Sequence, residues 1–231
     1  MLRETLQIPQ VKPILPDSER TNVAATQRRI LNAGSGPQAA RKIAPIFSTS
    51  EWEEIRLDID PNVGATVVGS ITDMSTLFEP ESFDAIWSSH TLEHLFAHEV
   101  SDALKQFKRI LKPDGFALIF CPDLESVAEH LVRYGADHIA YVSQAGPITP
   151  LDMLYGHIAS IARGRHYMAH KTGFTADRLG NLLLEAGFST VNVRRDEHFE
   201  ICALAFSEEA DERRIQSELA DGGYDLMEPS I

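Results

Sequence analysis

Apolar and polar positions alternate along the chain in a way that predicts strands separated by helices. Apolar runs typical of buried strands predict strands at 28–33, 55–59, 66–69, 83–88, 116–121, 190–193 and 200–206. Before the fifth of them, apolar residues at spacings of four, three and four predict a helix face: Val100, Leu104, Phe107 and Leu111. Alternation of strands with helices favours an α/β fold, a doubly wound and mostly parallel sheet of the Rossmann-like kind.

The regular rhythm breaks after the fifth predicted strand, over residues 124–172. Two amphipathic helices are predicted there, separated by a loop, from the apolar positions Leu124, Val127 and Leu131 and then Leu151, Leu154, Ile158 and Ile161. An insertion at this point covers the carboxyl edge of the sheet, where ligands of open α/β folds bind. We therefore predict a helical lid at 124–172, within a domain spanning 28–206.

The two ends of the chain differ in character from this domain. Residues 1–27 contain three prolines among polar residues and predict an extended N-terminal arm. Residues 207–231 hold eight acids and two arginines and predict a solvated helix followed by a loose acidic tail. After the first strand, a helix is predicted with Pro37 in its first turn and 39–46 continuing it, with Pro45 limiting its length.

A glycine turn follows the first strand and carries the strongest chemical signal. Ala33, Gly34, Ser35 and Gly36 form it, and glycines here let backbone N–H groups approach a ligand closely. The next strand ends in Asp58, 22 positions after Gly36, a spacing that suits an acid accepting hydrogen bonds from ribose hydroxyls. Strand, turn, strand and acid together predict a nucleoside-binding site.

The length and the net charge of the chain limit the classes of function that it can have. The 231 residues are enough for one α/β domain, and the net charge of −13 opposes binding to nucleic acid. No apolar run approaches the roughly 20 residues that span a bilayer, and no signal-peptide core begins the chain. The expectation is a cytoplasmic protein with no membrane or nucleic-acid partner. The two cysteines, Cys121 and Cys202, are read as core residues.

The motifs in this order resemble the class I S-adenosylmethionine-dependent methyltransferases, in particular methyltransferase type 11. The resemblance covers about 28–206 and rests on the glycine motif 30–36, the acid motif 57–61, and the segments 83–86, 92–95, 111–115 and 183–188. It implies a seven-stranded sheet with a C-terminal antiparallel hairpin, and S-adenosyl-L-methionine as cofactor. Two positions depart from the family pattern: Gln38 stands at the third glycine, and Ser70 at the acid near the adenine.

The resemblance also implies which residues hold the cofactor. The expected set is Ala33, Gly34, Ser35, Gly36, Asp58, Ile59, Ser70, Ile71, Asp73 and Ser89. Asp58 matches the ribose-binding acid, and Asp60 is the fallback for that role.

His90 lies just beyond the fourth strand, where class I enzymes place residues next to the transferable methyl group. With an ordinary pKa near ~6.5, it is predicted to act as a general base, and the alternative is a histidine that only shapes the pocket. His90, Glu93 and His94 also match the H-x-x-E-H zinc protease signature. Because Leu-Glu-His is ordinary in the resembled family, we interpret that match as incidental and predict no metal.

Aromatic and histidine residues concentrate in the predicted lid, as a small-molecule pocket would require. The predicted substrate residues are Tyr155, His157, His166 and His170. The leading hypothesis is an enzyme that methylates oxygen, nitrogen or carbon of a small molecule. A non-catalytic cofactor-binding or partner-binding module is the rival, and a NAD-dependent oxidoreductase is a weaker one, because Gly-x-Gly-x-x-Ala also fits the glycine turn.

Overall fold

The computed structural model describes residues 27–38, 43–196 and 198–224. The predicted arm, apart from residue 27, and the end of the predicted tail beyond residue 224 lie outside the described residues. Nine strands are described: β1 Arg28–Ala33, β2 Trp52–Asp58, β3 Val67–Val68, β4 Phe83–Ser89, β5 Leu111–Pro122, β6 Tyr141–Ser143, β7 Gly146–Ile148, β8 Thr190–Arg195 and β9 Glu200–Phe206.

Seven of the strands form one sheet in the order β3-β2-β1-β4-β5-β9-β8. The pairings from β3 to β5 are parallel, and β9 runs antiparallel to both β5 and β8. This confirms the predicted mostly parallel, Rossmann-like sheet with a C-terminal antiparallel hairpin. Because β1, β2, β4 and β5 run in one direction, their carboxyl ends meet at one edge.

Among the residues that the structure describes, six α-helices accompany the strands: α1 Ala97–Ile110, α2 Leu124–Tyr134, α3 Pro150–Tyr155, α4 Ile158–Ala162, α5 Ala176–Glu185 and α6 Glu212–Asp221. The predicted apolar stripe of α1 is buried, with Val100, Leu104 and Phe107 fully enclosed against the sheet. Thr175 caps α5, its side chain accepting a hydrogen bond from the Arg178 N–H. Helices α1 and α5 thus cover one face of the sheet.

The other face is covered by an aromatic layer and by α6. Phe47 contacts both Trp52 and Trp87 edge-on, and Ile215 and Leu219 of α6 are buried in the same cluster. Arg28 Nη1 also pairs with the Glu218 carboxylate at 2.9 Å. The prediction that this acidic segment forms a solvated helix was therefore wrong for its inner face, because its apolar residues four positions apart pack on the sheet.

Two helices differ from the sequence prediction because of single residues. Residues 39–42 of the helix predicted over 39–46 lie outside the described residues, and at 43–46 there is no α-helix but the start of a 3-10 turn, Pro45–Ser48. Pro45 holds Ala44 in an extended conformation, which prevents the helix from continuing through it. In the lid, the second predicted helix is two short ones, α3 and α4, because Gly156 adopts a φ of +91° between them.

The lid is not wholly helical either. Strands β6 and β7 form a separate antiparallel hairpin within it, where the sequence predicted only a loop. The lid joins the sheet at its beginning, where Asp123 bridges to Phe174 and accepts a hydrogen bond from Arg195 Nε at 2.7 Å. No helix among the described residues has the length and apolar character needed to cross a membrane.

Candidate functional site

The glycine turn lies at the carboxyl end of β1 and crosses over the end of β2. Gly34 and Gly36 have φ values of +70° and +59°, which is a left-handed backbone conformation that is unfavourable for residues with a Cβ. The N–H groups of Gly34 and Ser35 both donate to the Leu57 carbonyl, at 2.9 and 3.0 Å. A Cβ added to Gly36 would meet no atom within 4 Å, so open space faces this part of the turn. A ligand can therefore approach the backbone closely here.

Asp58, at the end of β2, is oriented by the same turn. Its Oδ2 accepts from the Gly36 N–H at 2.8 Å and its Oδ1 from the Asp60 N–H at 2.9 Å. Each carboxylate oxygen retains a further lone pair for a ligand hydroxyl. The Asp60 carboxylate instead accepts from the backbone and side chain of Asn62 and caps a short 3-10 turn. Of the two acids, Asp58 has the geometry that suits a ribose.

Arg56 supports the turn from below and was missed by the sequence analysis. Its buried guanidinium donates from Nη2 to the Gly36 carbonyl and from Nη1 to the Gly64 carbonyl at 2.8 Å. A charged residue between the apolar residues Ile55 and Leu57 is the signal that could have identified it, since buried charges need partners. Arg56 thereby ties the glycine turn to the loop after β2.

The remaining expected cofactor residues differ in how they are held. Ser70 Oγ lies 2.8 Å from Thr72 Oγ1, Ile71 is buried, and Ile59 is half exposed beside Asp58. Asp73 is exposed, and its carboxylate accepts from the N–H and hydroxyl of Ser75, which lowers the pKa of Asp73. Asp73 therefore stabilises its own turn. Its contribution to adenine binding stays a prediction.

His90 follows β4 in a strained conformation, with a φ of +52°. Its N–H donates to the Phe120 carbonyl at 2.9 Å, which holds it beside β5. Two carboxylates flank the ring: Glu200 Oε2 lies 2.7 Å from Nε2, and Glu93 Oε1 lies 3.4 Å from Nδ1. Burial lowers the pKa of His90, but the two carboxylates outweigh it and raise the pKa to about 9. At neutral pH the ring is therefore protonated on both nitrogens and positively charged. It would have to lose one of these protons before it could act as the predicted general base.

Glu93 lies at the centre of the turn after β4, and its side chain is only 1% exposed. Burial opposes its ionisation, but the adjacent charge of His90 holds the pKa of Glu93 below its ordinary value. Neither of its carboxylate oxygens has a hydrogen-bond partner among the described residues. The Glu93 carbonyl accepts from the N–H groups of Lys171 and Thr172 at 2.8 and 3.3 Å, which attaches the end of the lid to this turn.

A cavity of about 200 Å³ lies between this turn and the lid. It is lined by Glu93, Pro122, Leu124, Met153, Leu154, Tyr155, His170, Lys171, Thr172 and Gly173. Two of the predicted substrate residues, Tyr155 and His170, are among them. The other two are not: His157 bonds to Ser160 Oγ at 2.8 Å at the start of α4, and His166 is exposed in a 3-10 turn. His157 and His166 lie outside the lining of this cavity, and their contribution to substrate binding stays a prediction.

Solved structures with the same fold cover most of the chain. A SAM-dependent methyltransferase from Archaeoglobus fulgidus is 13% identical, with 79% of this chain and 87% of that chain covered at a TM-score of 0.50. The PH0226 protein from Pyrococcus horikoshii OT3 is 15% identical over 80% and 84%, at 0.51. The citrinin polyketide synthase CMeT domain is 16% identical over 80% and 48%, at 0.54. No curated protein matches the chain.

The seven-stranded sheet has the same fold as these solved structures. Residues 33–119 match the type 11 family model, described as a methyltransferase domain, and this match runs from the last residue of β1 into β5 and includes the glycine turn, Asp58 and His90. It confirms the resemblance that the sequence motifs indicated.

Proposed function

We propose that this methyltransferase transfers a methyl group from S-adenosyl-L-methionine to a small molecule bound under the lid. The observation that carries the proposal is the shared edge of the sheet. Gly34 and Asp58 follow β1 and β2, while Glu93 and Pro122 line the cavity at the ends of β4 and β5. Donor and acceptor sites that meet at one edge can align the reacting atoms, and alignment supplies much of the rate in such a transfer.

The cofactor supplies a methyl group on a sulfonium, which is a good leaving group. The chain has to hold the acceptor in line with it, exclude water and accept the acceptor's proton. His90 suits the last task if it is neutral, because Glu200 orients its ring through Nε2 at 2.7 Å. Nδ1, with its longer contact to Glu93, is then the nitrogen that receives the proton.

Asp58 is expected to dominate cofactor affinity on the ribose side. Asp58→Ala removes an oriented carboxylate, and hydrogen bonds to charged groups contribute about 1.5–3 kcal/mol, so binding of S-adenosylhomocysteine should weaken roughly 10- to 150-fold. Asp60→Ala is the matched control, since within the described part of the chain that carboxylate bonds only to Asn62 in its own turn. Calorimetry with S-adenosylhomocysteine measures the affinity of each variant, and calorimetry with NAD tests whether the site binds a nicotinamide dinucleotide instead.

Two calorimetric results would argue against this assignment. Equal affinity of the Asp58→Ala and wild-type proteins would remove the ribose role from Asp58. Heat from NAD together with none from S-adenosylhomocysteine would favour the oxidoreductase reading of the glycine turn.

The function itself is tested by transfer of radiolabelled methyl groups to a panel of hydroxylated, amino and carbanion-forming metabolites. Leu124→Trp narrows the cavity from α2 and is expected to raise the KM for any acceptor at least about tenfold without changing S-adenosylhomocysteine affinity. Val132→Trp is the control, because Val132 is 84% exposed on the same helix. Cofactor binding with no transfer to any acceptor would favour the non-catalytic binding module.

A further inference from the structure

We propose that Glu93, His94 and His170 form a binding site for a divalent transition metal, with zinc as the best fit. One ligand atom from each residue lies within 4.8 Å of the others. Two imidazoles and one carboxylate are a donor set that zinc accepts, with a fourth position left for water or a ligand. This site goes beyond the proposed methyl transfer, which needs no metal to bind the cofactor.

In both histidines the carbonyl partner of Nδ1 leaves Nε2 as the nitrogen available to a metal. Nδ1 of His94 lies 3.2 Å from the Ala169 carbonyl, and Nδ1 of His170 lies 2.8 Å from the Met153 carbonyl. A carbonyl oxygen only accepts, so each Nδ1 carries the hydrogen and each Nε2 keeps its lone pair. Metal-binding histidines are fixed in the same way, by donating the other N–H to a carbonyl or a carboxylate.

The backbone brings these residues together although His94 and His170 are far apart in sequence. The Lys171 and Thr172 N–H groups donate to the Glu93 carbonyl, and the His170 N–H donates to the Tyr155 carbonyl at 3.1 Å. The two imidazole centres lie 5.0 Å apart, inclined at 64°. Zinc bonds of about 2.0–2.1 Å place tetrahedral ligand atoms roughly 3.4 Å apart, so side-chain rotations that bring the ligand atoms up to about 1.4 Å closer together would close the site.

The Glu93 carboxylate is the observation that points to a ligand. It is almost fully buried, and both oxygens are without a hydrogen-bond partner among the described residues. A buried carboxylate is costly unless it is paired or coordinates a metal, and its present partner, His90, contacts one oxygen at 3.4 Å. Glu93 and His170 also line the cavity, which supplies an entry path and room at the fourth position.

This proposal replaces the prediction that the H-x-x-E-H match is incidental, and it uses different ligands. In that signature both histidines bind the metal, whereas here His90 pairs with Glu200 and the second imidazole comes from the lid. The sequence could not have indicated His170, because only the folded lid brings it to the turn after β4.

The test measures metal binding by the full chain without a histidine tag. We expect one Zn²⁺ per chain in competition with a chromophoric chelator, and intense visible bands typical of four-coordinate Co²⁺ on cobalt loading. His94→Ala and His170→Ala should each weaken Zn²⁺ binding by at least about 100-fold, more than loss of an outer-shell partner does. His98→Ala and His166→Ala, both exposed and outside the site, should bind as the wild type does.

Glu93→Gln keeps the side-chain shape and removes the charge. It tests the site even where an alanine variant does not fold. It should also lose Zn²⁺ affinity, while thermal unfolding and S-adenosylhomocysteine binding report that the domain is intact. A wild-type chain that binds no Zn²⁺ stoichiometrically would overturn the proposal and leave Glu93 as the counter-ion of His90. Equal Zn²⁺ affinity in the wild type and the His94→Ala and His170→Ala variants would overturn it too. Neither outcome depends on methyl transfer.

Discussion

At a pH above about 9, where the His90 ring is neutral, His90→Ala is expected to lower turnover by roughly 10²- to 10⁴-fold, the range typical of a lost general base. The reason is positional: His90 follows β4 at the sheet edge shared by the cofactor turn and the lid cavity, and Glu200 orients its ring. Affinity for S-adenosylhomocysteine should change little, because the imidazole makes no bond to the glycine turn or to Asp58 among the described residues. Single-turnover assays and calorimetry separate the two quantities.

The control for this prediction is His98→Ala, on the exposed face of α1, which should retain wild-type turnover. Removing His90 also takes the ion partner from buried Glu93, so thermal unfolding has to show that the variant is folded at the assay temperature. His90→Gln keeps a polar group in place. If His90→Gln and His90→Ala both work within a few-fold of wild type, alignment alone is the mechanism and His90 only shapes the pocket.

Local sequence patterns predicted most of the fold. The apolar stripe of α1 is readable because its residues lie one or two helical turns apart. The glycine turn and Asp58 could be predicted for a related reason, since β1 and β2 are adjacent in both sequence and space. The parallel sheet then fixes where these residues meet.

The missed features depend on single residues or on distant ones. Gly156 alone breaks the lid helix, and the sequence pattern of apolar residues runs through it unchanged. The acidic composition of α6 led to the prediction of a solvated helix, although Ile215 and Leu219 are four positions apart and lie on one buried face. The contacts of His90 with Glu200 and of Glu93 with the end of the lid join segments about 80 to 110 positions apart. No local pattern records such contacts.

Gly34→Ala is expected to abolish cofactor binding and to destabilise the domain. At a φ of +70°, a side chain costs about 1–2 kcal/mol. The added Cβ would also overlap Oγ1 and Cγ2 of Thr91. Thr91 cannot easily yield, because its hydroxyl lies 3.1 Å from the Ala33 carbonyl and 3.2 Å from that of Ser89. Overpacking of this kind adds roughly 1–3 kcal/mol.

Gly64→Ala provides the matched control for Gly34→Ala, since it separates the cost of backbone strain from the cost of steric overlap between the new Cβ and its neighbours. Its φ is +68°, nearly that of Gly34, but an added Cβ would meet nothing within 4 Å. We expect Gly64→Ala to lower the free energy of unfolding by the strain alone and Gly34→Ala by about 2–5 kcal/mol in total, with S-adenosylhomocysteine affinity reduced more than 100-fold only in the latter. Chemical denaturation and calorimetry measure both.

Thr91→Gly removes the atoms that the new Cβ would meet, so it tests the physical cause directly. In the Gly34→Ala background it should recover the overlap part of the lost stability, which a double-mutant cycle isolates from the cost of Thr91→Gly itself. Additive effects of the two substitutions would show that Thr91 does not restrict this position. Equal destabilisation by Gly34→Ala and Gly64→Ala would also show that Thr91 does not restrict position 34. The close approach of Thr91 would then not explain why glycine is needed there.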